Sequence, residues 1–271
     1  MQLTPRSLWP VALLGLVLGT PSLHAQTPEP QQDGRDDGWV HRWGSDAKAY
    51  ITAPLHAGRS QWVKFGSTVA AIAFAYQYDD DVRAHFVPGG TVPAPGAHDA
   101  HNTEDALPAA LALGGTWLAA RALGDRDGRR EAGTMFEAAV FSSLSNELLK
   151  NIAGRERPFI SGDRSAFREG GDSFPSGHVT AAFAIGTVLA ESGNDRQRWL
   201  RRILGYGIGA ITAYERMNHD DHWFSDTVAG AGVGIATARF LMKRHEPANH
   251  RTFTVVPTHD GVSMTFAAVL R

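Results

Sequence analysis

Three short segments concentrate side chains able to bind and attack an anion. The first is Lys150-Asn151-Ile152-Ala153-Gly154-Arg155-Glu156-Arg157-Pro158. Two helical turns return Lys150 and Arg157 to one face, and Pro158 disfavours helix at Arg157, which places that guanidinium at a helix end. Alone, this is also what an ordinary basic helix C-terminus looks like. The second is Ser173-Phe174-Pro175-Ser176-Gly177-His178, followed by the apolar run Val179–Leu189. Serine and proline just ahead of such a run mark a helix start. Several backbone N–H groups at such a start point outward and, with Gly177 letting a ligand approach closely, offer an anion pocket, with His178 in the first turn to donate a proton. A plain capped helix with a surface histidine has the same pattern. The third runs from Arg216 to Asp226 and contains His222. His222 and Asp226, four apart, fall on one helical face. A carboxylate on one ring nitrogen leaves the other as nucleophile or base, and Arg216 adds a fork of donors suited to phosphate. A surface His–Asp pair would have the same spacing.

In this order, Lys-x6-Arg-Pro, Pro-Ser-Gly-His and Arg-x5-His-x3-Asp resemble the type 2 phosphatidic acid phosphatase and vanadium haloperoxidase superfamily, over roughly Arg130 to Lys243. The resemblance implies a helical bundle and a phosphoester hydrolase. It implies that Lys150, Arg157, Arg216 and the backbone of Ser176 and Gly177 bind phosphoryl oxygens. It further implies that His222 attacks phosphorus, His178 protonates the leaving oxygen and Asp226 orients His222. No metal or cofactor is implied for hydrolysis, since three cations at ~4 Å, each contributing ~4 kcal/mol at an effective dielectric of ~20, can do a metal's electrostatic work. Vanadate would enter only as a phosphate mimic, or in the alternative of a vanadate-dependent haloperoxidase. A non-catalytic phosphate- or lipid-binding protein is the other alternative, although binding alone needs no oriented nucleophile. One residue departs from the family pattern: Glu215 stands where serine usually precedes the arginine. A carboxylate there would repel phosphate, so it is expected to point away, toward Arg216 or Lys150.

The elements that must position these residues are helical. Gln61–Tyr78, Asp105–Leu123, Arg130–Ala153, Ser176–Ser192, Gln197–Arg216 and His222–Lys243 have helix length and end at breakers such as Gly124-Asp125 and Gly193-Asn194. The fold expected is all-α, a bundle of about six core helices with a short C-terminal β-hairpin. The hairpin is read from Thr252–Val256 and Val262–Val269, joined through Pro257-Thr258-His259-Asp260-Gly261. Polar interruptions at Lys64, Arg121, Glu137 and Arg239, with a mean hydropathy of −0.22, favour helices buried against one another over a membrane-embedded bundle.

The 271 residues suffice for one sizeable domain. A basic start, a short apolar run and Ala25 suggest a signal peptide over residues 1–25 and hence export to the periplasm or outside the cell. A flexible linker over 26–44, a helical domain over 45–244 and the tail over 245–271 complete the organisation expected. The net charge of −2 gives no overall field for nucleic acid, and with no cysteine there is no disulfide. The partner expected is a phosphorylated small molecule or a lipid phosphate, with peripheral membrane contact as an option. Asp79-Asp80-Asp81 reads as a helix end, His98 to Glu104 as a loop and His219-Asp220-Asp221 as a turn. None has a standard metal-ligand spacing.

Overall fold

A computed structural model describes residues 37–88, 101–122, 125–192, 198–245, 252–258 and 261–267. The expected signal peptide lies outside these residues. Among them the chain forms nine α-helices: α1 Asp37–Thr52, α2 Arg59–Gln77, α3 Asp79–Phe86, α4 His101–Ala122, α5 Arg126–Ala153, α6 Pro158–Ser161, α7 Gly177–Glu191, α8 Arg198–Asn218 and α9 Phe224–His245. A two-stranded antiparallel hairpin follows, β1 Thr252–Thr258 and β2 Gly261–Ala267. The six expected helices correspond to α2, α4, α5, α7, α8 and α9. Helices α1, α3 and α6 are additional, and too short or too polar for periodicity to show. Helix α1 starts inside the segment expected to be a linker. Helix α4 takes in His101 and Glu104, which had been placed in a loop. In the hairpin, β1 runs through Pro257 and Thr258 pairs with Gly261, so the turn is shorter than the sequence suggested.

Helix α7 is the axis of the bundle. Its Ala-, Gly- and Val-rich sequence is buried along most of its length, including Val179, Ala182, Ala184, Gly186 and Val188. Helices α5, α8 and α9 pack around it. Met135, Ala138 and Phe141 of α5, Ile185 and Val188 of α7, and Ala238 and Leu241 of α9 form the core. Small residues permit very close crossings. A Cβ on Gly186 would lie 2.1 Å from the Gly205 carbonyl oxygen, and one on Gly205 would lie 2.2 Å from that of Gly186. A Cβ on Gly230 of α9 would meet the Ser176 oxygen at 2.7 Å. These contacts fix where the N-terminus of α7 sits between α5 and α9.

Helix α1 is tied down by polar contacts. Buried Asp46 accepts from Arg244 Nε at 2.6 Å and faces His245 Nε2 at 3.0 Å. Tyr50 shares hydrogen bonds with Ser145 and Thr237 at 2.9 and 2.7 Å. Trp43 packs on Phe136 and Phe141, whereas Trp62 and Trp117 are exposed. Among the described residues, no helix is long and apolar enough to cross a membrane.

The α7–α8 crossing yields a paired expectation. Gly205→Ala forces a methyl into backbone and should cost about 1–3 kcal/mol of unfolding free energy. Gly207→Ala, also in α8 but with nothing within 4 Å of its Cβ position, should be neutral or slightly stabilising. Urea unfolding of the two variants checks this, and equal effects would show that the close crossing does not limit stability.

Candidate active site

A cavity of about 300 Å³ opens where the N-terminus of α7 meets the C-terminal turn of α5. Lys150, Arg157, Gly177, His178 and His222 line it, together with Ser143, Asn146 and Glu147. The three sequence segments therefore converge, although two do so by other routes than their spacing suggested. Helix α5 stops at Ala153 because Gly154 takes a left-handed φ of 52° as C-cap. Arg157 is consequently not on the helix of Lys150. It stands in extended conformation ahead of Pro158, as N-cap of α6. Likewise α9 begins at Phe224, so His222 lies in the loop before the helix that carries Asp226. Helix α7 begins at Gly177 with Ser176 as N-cap, and its first internal backbone bond runs from Thr180 N to Ser176 O. The N-terminal turn of α7, which carries Gly177 and His178, forms one wall of the cavity. Ser176 itself is buried, with its N–H on the Asp226 carbonyl at 3.1 Å.

The protonation of His222 follows from its surroundings. Its Nδ1 lies 2.8 Å from the backbone oxygen of Ser173. A carbonyl only accepts, so Nδ1 carries the hydrogen and the Nε2 lone pair is left for the cavity. Burial, the largest influence, pushes the His222 pKa down, and the Arg157 and Arg216 charges add to this against the opposing Asp226. The ring is therefore held neutral. The expected His222–Asp226 bond is longer than a hydrogen bond, with Nδ1 and Oδ2 3.7 Å apart. Asp226 Oδ2 instead accepts from the Trp223 N–H at 3.0 Å and the Ser173 hydroxyl at 2.5 Å. As third residue of α9, its carboxylate reaches back to the N-cap N–H, as in a capping box. Burial alone would raise the Asp226 pKa, but His222, Arg155 and Ser173 together hold it below the ordinary carboxylate value. Asp226 thus acts on His222 largely through Ser173, whose hydroxyl it holds and whose carbonyl holds the ring.

Each cation of the site already faces a carboxylate. Arg157 makes a two-pronged contact to Asp172, both distances 2.8 Å, and lies 3.5 Å from Asp221. Arg216 is fully buried, outside the cavity lining, and pairs with Asp221 at 2.9 Å. Lys150 Nζ is 3.5 Å from Glu147. Glu215 points neither at Arg216 nor at Lys150; its carboxylate lies 3.9 Å from the His219 ring. His219 and Asp220 form a turn, as expected, and the acids there, Asp220 and Asp221, are buried; Asp220 forms a two-pronged pair with Arg83 of α3, both distances 2.7 Å. Asp79 begins α3 as expected of a helix end, but it too is wholly buried, against Arg155. Sequence reasoning missed Arg155, Asp172, Ser173 and Asn146. The repeated arginine in Gly-Arg-Glu-Arg-Pro was the available signal for Arg155. Asp172 had none, since its loop resembles any solvated Gly/Asp stretch.

Fold and site together define a helical bundle whose anion cavity is lined by a lysine, an arginine, a helix N-terminus and a neutral histidine. Residues 131–249 match the PAP2 superfamily. A 64-residue stretch is 38% identical to a lipid A 1-phosphatase of Porphyromonas gingivalis, covering 24% of this chain and 14% of that protein. A 123-residue stretch is 30% identical to a PA-phosphatase related-family protein of Dictyostelium discoideum, covering 40% and 45% respectively. The chain thus spans less than half the length of these two curated relatives. No solved structure gives a significant match.

The Arg157 pair carries a pH dependence. Arg157 lowers the Asp172 pKa from 3.8 to about 2. A depressed carboxylate contributes stability that is complete above its unfolded pKa and lost as pH falls through the folded one. Asp172 is half exposed, so solvent screening limits the contribution to about 1 kcal/mol. Asp172→Asn should therefore lower unfolding free energy modestly at pH 7 and flatten its decline between about pH 4 and pH 2. Denaturant melts across that range decide it, and superimposable curves would mean the pair contributes nothing.

Proposed function

We propose that the chain is an exported phosphoester hydrolase, acting on phosphomonoesters or lipid phosphates and pyrophosphates through a phosphohistidine on His222. The observation that carries this reading is the imidazole whose Nδ1–H is fixed on the Ser173 carbonyl while the ring lines a cavity with Lys150, Arg157 and His178. Pure binding of phosphate requires no neutral, oriented nucleophile. The names of the two relatives support phosphate ester chemistry, and that of the bacterial one supports a phosphorylated lipid.

The reaction divides into two displacements. The phosphoryl group sits between Lys150, Arg157 and the first-turn N–H groups of α7, where charge on its equatorial oxygens is stabilised as it spreads. Arg216, behind the cavity lining, supports the site through its field and its pair with Asp221. The Nε2 lone pair of His222 attacks phosphorus, and the P–O bond to the leaving group breaks. His178 gives its proton to the departing oxygen. A water then gives a proton back to His178 and attacks phosphorus, breaking the N–P bond and releasing phosphate with His222 neutral again. The cations supply the electrostatic role that a metal fills elsewhere, so turnover should survive a chelator.

Two results test the reading on the chain from Gln26 onward, with phosphate release measured from a soluble monoester and a micellar lipid phosphate. His222→Ala should lower kcat by about a thousandfold or more with the helical signal and melting midpoint intact. Substantial residual turnover would move the nucleophile elsewhere. The wild-type rate should be bell-shaped in pH, because His222 must be neutral while His178 is protonated. Since burial lowers the His222 pKa, the acid limb should fall below the ordinary histidine value of about 6.5. A rate flat from acid to alkaline pH would contradict the scheme. Release from the lipid alone would assign a lipid substrate, and comparable release from both a broad phosphatase.

A further inference from the structure

The support of Asp226 comes from an arginine inside the first motif, which is held in turn by an acid far outside all three. Arg155 is fully buried, and its Nη1 donates to Asp226 Oδ1 at 2.6 Å and to the Ser225 hydroxyl at 2.8 Å. Its Nη2 donates to Asp79 Oδ2 at 2.7 Å and to the Arg164 carbonyl at 2.7 Å. Asp79, also fully buried, accepts from the Ser225 N–H at 2.8 Å and from its hydroxyl at 2.7 Å. The Arg155 backbone oxygen takes the Ser173 N–H at 2.9 Å. Ser173 is the residue whose carbonyl orients His222. Arg155 therefore grips both supports of the nucleophile, and Asp79 is the second anion that fixes Arg155. Asp79 belongs to α3, ahead of the 131–249 segment that matches the family.

We propose that Asp79 is a positioning residue of this site, acting through Arg155 on Asp226 and Ser173 and thereby on the His222 ring. The inference rests on the hydrolase reading above. Burial, the largest influence, pushes the Asp79 pKa up, against the Arg155 and Ser225 contacts that favour its carboxylate. With both acids ionised, Asp79 and Asp226 are two negative charges around one guanidinium, and the cluster behind His222 carries one net negative charge. Neutralising Asp79 takes away the charged acceptor that holds Arg155 Nη2 and leaves the guanidinium paired with Asp226 alone. The guanidinium then draws on Asp226 alone, and the contacts that set the angle of the imidazole relax. Reaction geometry is sensitive to such shifts, since a misplacement of about 1 Å can cost about a hundredfold in rate. Substrate binding is not coupled in the same way, because Lys150 and Arg157 approach the phosphoryl group from elsewhere.

The test is steady-state hydrolysis of a soluble phosphomonoester by the wild-type chain, His222→Ala and Asp79→Asn, with melting midpoints recorded for each. Asp79→Asn should lower kcat about ten- to a hundredfold while KM changes less than about twofold. Its acid limb should also move to lower pH, because loss of a negative charge behind His222 favours the neutral ring, with Arg157, Arg216, Asp172 and Asp226 still in place around it. A purely structural role would lower the melting midpoint and the folded fraction but leave kcat per folded molecule and the pH limb unchanged, and that result overturns the proposal. An active wild type with a fully active Asp79→Asn overturns it alone, whereas an inactive wild type overturns the hydrolase reading and this inference with it. If Asp79→Asn does not fold, Ser225→Ala removes the hydroxyl joining Asp79 to Arg155 and keeps both charges. It should show the same kcat-over-KM split, several-fold in size, and no split would again overturn the proposal.

Discussion

Arg155, a guanidinium with no exposed surface, sits where α3, the loop after α5, the loop before α7 and the start of α9 meet. Burying a charge costs several kcal/mol unless it is paired and its donors are satisfied. Here Asp79 and Asp226 pair with it, Ser225 and the Arg164 carbonyl take further donors, and the Trp223 and Phe167 rings lie 5.1 and 4.8 Å from its Cζ. The approach is so close that a Cβ on Gly171 would lie 2.3 Å from the Arg155 carbonyl oxygen. Any movement of these segments would break a buried ion pair, so their relative placement is over-determined. The loop of His222 inherits that rigidity through Ser173 and Asp226.

The electrostatics of the cavity follow a different logic. Lys150, Arg157 and Arg216 are present as the motif requires, but Glu147, Asp172 and Asp221 stand against them. A fully exposed triple cation would repel itself and lower stability. Carboxylate partners remove that repulsion while keeping guanidinium and ammonium groups charged and oriented. Under the proposed function they also set a condition for binding, because an incoming phosphate must offer more than the carboxylates already do. A dianionic phosphoryl group, and still more a transition state with charge spread over three oxygens, meets that condition better than a singly charged anion. In the proposed reaction, competition of this kind favours the transition state over loosely bound anions.

Most of the site's inventory was legible in the sequence, and its wiring was not. Lys150, Arg157, Gly177, His178 and His222 carry signatures in residue type and spacing, and all line one cavity. The geometry inferred from helical periodicity failed at two places for one reason. Gly154 ends α5 before Arg157, and α9 starts after His222, so neither i,i+7 nor i,i+4 spacing applies across the break. The helices with apolar periodicity were recoverable, whereas α3 and α6 were not, because ion pairs and a Pro-start turn define them. Asp79, Asp172 and Asp220 were unreadable for a deeper cause: a surface-looking acid becomes buried only when its arginine arrives from a distant segment, and single-chain patterns contain no record of that meeting.

The two layers are connected through α7. Its small residues let α8 and α9 approach to backbone contact, and Gly230 admits the Ser176 carbonyl at a distance no side chain would tolerate. That contact places the N-terminus of α7 beside the start of α9, where Ser176 donates its N–H to the Asp226 carbonyl. One residue of α9 therefore binds the α7 cap with its backbone and the Arg155 and Ser173 network with its side chain. The helix end and the histidine that line one cavity are thus held by a single joint. The positive end of the α7 dipole and the Nε2 lone pair meet at a separation set by tightly packed backbone, not by flexible side chains. This accounts for the combination seen in the chain: glycine and alanine at the crossings of α7 with α8 and α9, and a candidate site beside them whose groups are held at fixed distances.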